Sequence, residues 1–259
     1  MRLKGQIKSV VISRQADRWF AAINVETQQL QHSRKANKSV GIDLGIKSLA
    51  TLSTGASDEG PKAHTALLKR LRRTSRRLSK KEKGSRNARK AKTKLARLHA
   101  RISNIRRDHL HKLTTELVLN NRHIGIEDLN VKGMAANRRL SRHIMDQSFY
   151  EFRRQLTYKS EWYGSELVVV DRFYPSSKRC HHCGWIKEDL QLADRQWTCV
   201  CGEDHDRDIN AAKNIAAWMH EHLHTVSSTG IYACGTESAG LATDCSQAKL
   251  CRAEAGSQR

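Results

Sequence analysis

Three carboxylates stand in places that apolar strands and helices do not ordinarily tolerate. Asp43 interrupts Val40-Gly41-Ile42 and Leu44, Glu127 follows Ile124-Gly125-Ile126, and Asp208 opens HDRDINAAKNI (205–215) beside Asp206. An unpaired buried carboxylate is costly, so isolated acids in such runs need a partner. If the two strands are neighbours and the helix packs against their ends, the three acids converge. Such a cluster repels itself unless divalent cations occupy it, and Mg²⁺ is the usual ion of all-oxygen sites. Two such ions about 3.5–4 Å apart activate water and stabilise the departing oxygen of a phosphodiester. Each acid alone has a plainer reading: Asp43 as a turn residue before Gly45, Glu127 or Asp128 as a helix cap, Asp208 as a partner of the helix dipole. Together, beside the basic segment described below, they favour a metal site.

A second constellation lies between the last two acids. Cys180-His-His-Cys183 and Cys199-Val-Cys201 are separated by fifteen residues, the spacing of a four-cysteine zinc ribbon with tetrahedral thiolates. The second pair is one residue shorter than the usual C-x₂-C, which leaves His181, His182 or His205 as substitutes if Cys201 falls short. A module this small has little core, so zinc would supply its folding energy. Cys234, Cys245 and Cys251 have no ligand spacing and read as ordinary reduced thiols. Seven cysteines, an odd number grouped this way, point to metal binding in a reduced cytosol rather than to a secreted disulfide framework.

The charge has its own location. The chain of 259 residues has 47 Lys and Arg against 26 Asp and Glu, a formal net charge of +21. Residues 69–107 hold eighteen of the bases and a single acid, Glu82, so this stretch carries +17. It also has a helical period: Ala91, Leu95, Leu98, Ile102, Ile105, Leu113 and Leu117 form one stripe, and Leu68, Leu71, Ser75 and Leu78 a shorter one before Lys83-Gly84-Ser85. The pattern predicts a helical hairpin with an apolar seam and outward-facing charge that a polyanion would neutralise. Arg70, Arg73, Arg77, Lys81, Arg86, Lys90, Lys94 and Arg101 are the expected nucleic-acid contacts. The longest apolar runs, Trp19–Ile23 and Ile215–Met219, are far short of the roughly 20 residues of a membrane span, so no membrane partner is expected. MRLKGQIKSVV lacks the long apolar core and cleavage site of a secretory signal.

The elements that must position these groups follow from local pattern. Residues 7–26 alternate around a turn at Arg14–Arg18 and read as a hairpin. Residues 40–53 read as two short strands around Gly45, Ile124–Leu129 as a short buried strand, and Glu166–Asp171 as a strand that Pro175 ends. Asp146 is placed to cap a helix carrying Phe149, Phe152 and Leu156. Ile209, Ala212, Ile215, Ala216, Met219 and Leu223 mark a closing helix, after which the period vanishes. The mixture indicates α/β.

In this order, GIDLGIKSLATLS, IGIEDLNVKGM, YPSSKRCHHCG and CGEDHDRDINAAKNI resemble the TnpB/OrfB proteins of bacterial insertion sequences over residues 1–224. The resemblance implies an RNase H-like (RuvC) fold split along the chain, with a basic helical hairpin and a Cys₄ zinc ribbon inserted. Its segments would be a remnant hairpin of an N-terminal barrel (1–35), RuvC segment I (36–66), the basic helical insertion (67–122), RuvC segment II with the following helix and strand (123–179), the zinc ribbon (180–203), RuvC segment III (204–224) and a flexible tail (225–259). It implies that Asp43, Glu127 and Asp208 are the catalytic acids holding two Mg²⁺ ions, and that Cys180, Cys183, Cys199 and Cys201 hold a structural Zn²⁺. Members are RNA-guided DNA endonucleases long described as transposases, so DNA and a guide RNA are the implied partners, and the bacterial cytoplasm, at the nucleoid, the implied location. Family members are usually longer at the N-terminus, and the resemblance implies that the chain begins at the last hairpin of the barrel, with the recognition half largely missing. The alternative is a truncated, non-cleaving DNA- or RNA-binding regulator. The sequence shows no Tyr or Ser motif of a covalent recombinase.

Overall fold

Alternation in two short strands builds the centre of the molecule. In the computed structural model, which describes residues 5–26, 37–191 and 193–226, the chain runs β1 (Gln6–Gln15), β2 (Arg18–Glu26), β3 (Lys38–Asp43), β4 (Ala50–Leu52), β5 (Ser57–Asp58), α1 (Ala63–Ser79), α2 (Arg86–Asn120), β6 (Asn121–Glu127), α3 (Val131–Ala136), α4 (Ser141–Gln147), α5 (Phe149–Tyr163), β7 (Glu166–Val170), β8 (Gln196–Thr198), β9 (Asp204–Asp206) and α6 (Arg207–Val226). Five strands form one sheet in the order β5-β4-β3-β6-β7. β4 is antiparallel to β3 and to β5, whereas β6 and β7 run parallel to β3. The fold is a mixed α/β arrangement, as the alternation of strand and helix patterns indicates.

The register decides what each face carries. Val40, Ile42, Ile124 and Ile126 are fully buried on one face and pack with Leu110, Leu117 and Val118 of α2 and Phe149, Phe152 and Leu156 of α5. Gly41 pairs with Gly125, and Ile42 with Ile126. Side chains alternate along a strand, so Gly41, Asp43, Gly125 and Glu127 fall on the opposite face. There α6 covers the sheet with Ala211, Ala212, Ile215 and Met219, each almost wholly buried. The glycines permit this: a Cβ on Gly41 would fall on the carbonyl of Ala212 and the amide nitrogen of Ala216, and one on Gly125 would meet Ile215 Cγ2 at 3.0 Å. The result is three layers, with helices on both faces of the sheet.

The basic hairpin is formed by α1 and the N-terminal half of α2. Ser85 caps α2 by accepting the amide of Ala88 at 3.1 Å, and Gly84 makes the turn at φ +80°. At 35 residues, α2 is about 52 Å long and reaches from the hairpin tip into the core. Its buried face shifts along that path: Leu98, Ile102 and Leu110 are buried, while Ile105, expected in the seam, is 36 % exposed beneath the β1–β2 turn. Asp146 does not cap α5. It lies inside α4 and accepts the amides of His64 and Thr65 at 2.9 and 3.0 Å, capping α1 across 81 residues of sequence, while α5 starts after Ser148 in the left-handed region at φ +59°.

The β1–β2 hairpin has its turn at Ala16-Asp17, as the alternation predicts, and Arg97 of α2 ties that turn down through Asp17 at 2.9 and 2.5 Å. Among the described residues no helix is long and apolar enough to cross a membrane. The expected tail over 225–259, with Cys234, Cys245 and Cys251, lies outside the described residues apart from the last residues of α6.

Candidate functional site

Asp43 and Glu127 end adjacent parallel strands one register step beyond the Ile42–Ile126 pair, so both side chains leave the same face of the sheet. The third acid comes from α6. Asp206 accepts the amides of Asp208 and Ile209 at 3.0 Å each and thereby starts the helix. Asp208 precedes Ala212 by four residues, about 6 Å along the helix, and Asp43 lies two residues, about 6.6 Å, beyond Gly41. Ala212 sits over Gly41, and the charge of Asp208 acts on Asp43, so the start of α6 lies towards the Asp43 end of β3.

The electrostatics agree with that convergence. The carboxyl of Asp43 is pushed well above the ordinary range, first by burial and then by the charges of Glu127 and Asp208; Arg207 and Arg195 offset this only in part. Glu127 is also raised by burial, against the hydrogen bond donated by the Ser176 hydroxyl and the charge of Arg207. Asp208 receives a hydrogen bond from Arg195 Nη1 at 3.2 Å. A half-buried all-oxygen donor set in which Asp43 feels the charges of the other two acids matches the chemistry of a hard divalent cation.

Neighbouring acids have other duties. Asp128 pairs with Arg153 at 2.5 Å and with Arg172, and Asp206 is the cap of α6. Ser176, Arg195 and Arg207 were not singled out by sequence. Ser176 lies in the motif YPSSKRC, but only the fold brings its hydroxyl to Glu127. Two buried asparagines of α6 hold the ribbon's entry: Asn210 and Asn214 donate to the carbonyl of Arg179 at 2.7 and 2.5 Å, and Asn214 also to that of Ser176 at 2.7 Å.

Cys180, Cys183, Cys199 and Cys201 bring their sulfurs within 4.8 Å of one another, and among the described residues no other group of three or more Cys, His, Asp or Glu does so. Sulfurs bound tetrahedrally at about 2.3 Å lie about 3.8 Å apart; Cys180–Cys201 and Cys183–Cys199 are 3.9 and 3.5 Å apart. Cys201 therefore reaches the cluster despite the shortened second pair, because Gly202 closes the knuckle at φ +87° and donates to the Cys199 carbonyl at 2.9 Å. His205 is no substitute ligand: it is buried with Nε2 3.1 Å from Cys180 Sγ, the position of a residue that orients a ligand. His181 is engaged by Asn210 and Lys213, and His182 is exposed. The Trp185 amide holds the Cys183 thiol down at about 7, while burial pushes Cys199 up to about 12. Four clustered thiols with one already near its thiolate form could hold a metal ion.

The basic residues also gather. Arg70, Arg73, Arg77 and Lys81 of the first arm and Lys90, Lys94 and Arg101 of α2 line one cleft of about 780 Å³ between the two arms; Arg86, the eighth residue expected there, does not line it. These exposed basic side chains thus share one groove between the arms, whose lining also includes Ala91 and Leu98.

Acids at the ends of neighbouring parallel strands, a four-cysteine cluster ahead of the third acid and a basic helical hairpin together characterise this mixed α/β chain. Residues 22–138 match the OrfB_IS605 family model, described as "Probable transposase", and residues 149–215 the model "Cas12f1-like, TNB domain". A "Putative RNA-guided DNA endonuclease" of Streptomyces pristinaespiralis is 48 % identical over 210 residues, covering 81 % of this chain and 52 % of that protein. "Putative RNA-guided DNA endonuclease InsQ" of Escherichia coli (strain K12) is 37 % identical over 238 residues, covering 86 % and 59 %. The chain belongs to the TnpB/OrfB family. It spans between half and three fifths of the length of these two relatives. In fold it is similar to the protein in "Cryo-EM structure of the Cas12f1-sgRNA-target DNA complex", with a TM-score of 0.53 at 18 % identity, covering 76 % of this chain and 42 % of that one.

Proposed function

We propose that this chain is a metal-dependent DNA endonuclease of the TnpB type, built on an RNase H-like (RuvC) fold split along the sequence and serving a transposable element. The observation that supports the reading is that Asp43 and Glu127 end adjacent parallel strands on one face, with the Asp43 carboxyl raised by burial and then by the charges of Glu127 and Asp208. The strand order β5-β4-β3-β6-β7, with a basic hairpin entering before β6 and a ribbon before α6, supports the split fold. Asp43, Glu127 and Asp208 would hold two Mg²⁺ ions. When bound, such ions supply an activated water and charge stabilisation for the departing 3′ oxygen of a phosphodiester. Ser176 fixes the rotamer of Glu127, the Asp206 cap fixes the first turn of α6, and Arg195 balances the charge of Asp208. The four cysteines would hold a structural Zn²⁺ that keeps the ribbon, and with it Arg195, in place. The basic cleft would follow the phosphate backbone of the target DNA or of a guide RNA.

Cleavage of single-stranded and R-loop DNA with Mg²⁺ tests the reading, comparing the parent chain with Asp208→Ala. Cleavage by the parent and at least a hundredfold loss in the variant is expected; equal cleavage by both refutes it. The cleft favours a second reading, a non-cleaving DNA- or RNA-binding regulator. That reading expects steeply salt-dependent binding with no Mg²⁺-dependent cleavage by either chain.

A further inference from the structure

Phe173 is 88 % exposed, more than any other large apolar side chain among the described residues. It does not sit on a loose loop. The turn after β7 is pinned at each step: the Phe173 amide donates to Asp171 Oδ1 at 2.7 Å and the Tyr174 amide to the Asp171 carbonyl at 3.1 Å. On one side of Phe173, Arg172 is bound to Asp128, the residue after Glu127, through both its carbonyl and its carboxylate. On the other, Tyr174 packs against Trp218 of α6, and Ser176 donates to Glu127 itself. A water-facing phenyl ring on a backbone this constrained is held where solvent gains nothing from it. Ser176 is three positions further along the chain, so the two Cα atoms are at most about 11 Å apart. The turn that carries the ring is thus tied to the Glu127 end of the sheet, with the ring itself in solvent.

From this geometry we infer that Phe173 is a stacking platform for an unpaired base of the DNA strand that enters the acid site. An aromatic face takes any base, but only one that has left its duplex stack, so the ring selects a single strand at the point of cleavage. The inference rests on the reading of the acids as a phosphodiester site and adds the state of the substrate strand that the site takes.

The test is fluorescence anisotropy with a fluorescein-labelled single-stranded oligodeoxythymidylate and with a labelled duplex, using Ca²⁺ in place of Mg²⁺ so that binding is read without cleavage. Phe173→Ala should weaken single-strand binding about tenfold, as one lost base stack does, leave duplex binding unchanged and leave thermal unfolding unchanged, since the ring is in solvent. Phe173→Trp should restore single-strand binding. Unchanged single-strand affinity in Phe173→Ala, equal losses on both probes, or no single-strand binding by the parent each overturns the inference. Cleavage with Mg²⁺ separates the two readings: a parent that does not cleave yet loses single-strand affinity in Phe173→Ala removes the nuclease and keeps the platform. A parent that cleaves, beside a Phe173→Ala variant that binds and cleaves equally well, removes the platform alone.

Discussion

Gly41 links the packing of α6 to the position of Asp208, and a single methyl group tests that link. In Gly41→Ala the new Cβ meets the carbonyl oxygen of Ala212 and the amide nitrogen of Ala216, the latter at 2.5 Å. Both are backbone atoms of α6, so no side-chain rotation relieves the overlap. Ordinary contact begins near 3.4 Å, so the amide of Ala216 alone requires the helix to lift by at least about 0.9 Å, and the still nearer carbonyl of Ala212 requires more. Overpacking of this kind costs about 1–3 kcal/mol, offset by about 0.5–1 kcal/mol from the stiffer unfolded chain. Gly125→Ala is the internal control: its nearest neighbour is a side-chain methyl, Ile215 Cγ2 at 3.0 Å, and the nearest backbone atom, the Ile215 carbonyl oxygen, is at an ordinary 3.4 Å. Urea unfolding of the two variants should show a loss of about 1–2 kcal/mol for Gly41→Ala and close to none for Gly125→Ala. Because Asp208 rides on the helix that lifts, Mg²⁺-dependent cleavage should fall much further than stability; a misplacement of about 1 Å costs about a hundredfold. Parent-like cleavage by a folded Gly41→Ala chain, or a larger effect from Gly125→Ala, refutes the account of how the third acid is positioned.

Two further outcomes follow from the polar interior. Lys159 is only 4 % exposed, donates to the His111 carbonyl and the hydroxyls of Thr114 and Thr115 at 2.7–2.9 Å, and is held down at about 8 by burial. Its folded pKa lies below the unfolded value of about 10.4, so between about pH 8 and 10.4 the unfolded chain binds more protons and stability rises with pH. Denaturant midpoints should show a rise of up to about 3 kcal/mol across that window that Lys159→Met lacks; equal slopes in both chains sink the assignment. Cys201→Ser removes one of four clustered sulfurs, and after dialysis against a chelator it should retain far less zinc than the parent and unfold at lower temperature. Equal metal content in the two chains would assign the fourth ligand elsewhere.

Local chemistry was readable without the fold. Acids set into Val-Gly-Ile-Asp and Ile-Gly-Ile-Glu, two cysteine knuckles and a nearly acid-free helical stretch mark themselves by type and spacing, because each signal spans only a few residues. Three- and four-residue steps likewise placed the arms of the basic hairpin. Where the reading slipped, a partner distant in sequence decided the outcome. Asp146 looked like a cap for the helix that follows it, yet it caps α1, since the fold brings two free amides of His64 and Thr65 against its carboxylate. Ile105 kept the helical period but lies where α2 passes under the β1–β2 turn rather than between helices.

Composition and spacing alone determined that this protein carries a carboxylate set, a thiolate set and a concentrated positive charge. Only the tertiary structure decided which members of each set meet. Parallel register puts Asp43 and Glu127 on one face, two glycines let α6 lie close against that face so that the charge of Asp208 acts on Asp43, and Gly202 lets a short knuckle close on Cys180 and Cys183. Strand register and helix approach are set by packing between segments far apart in the chain, and no local spacing encodes them.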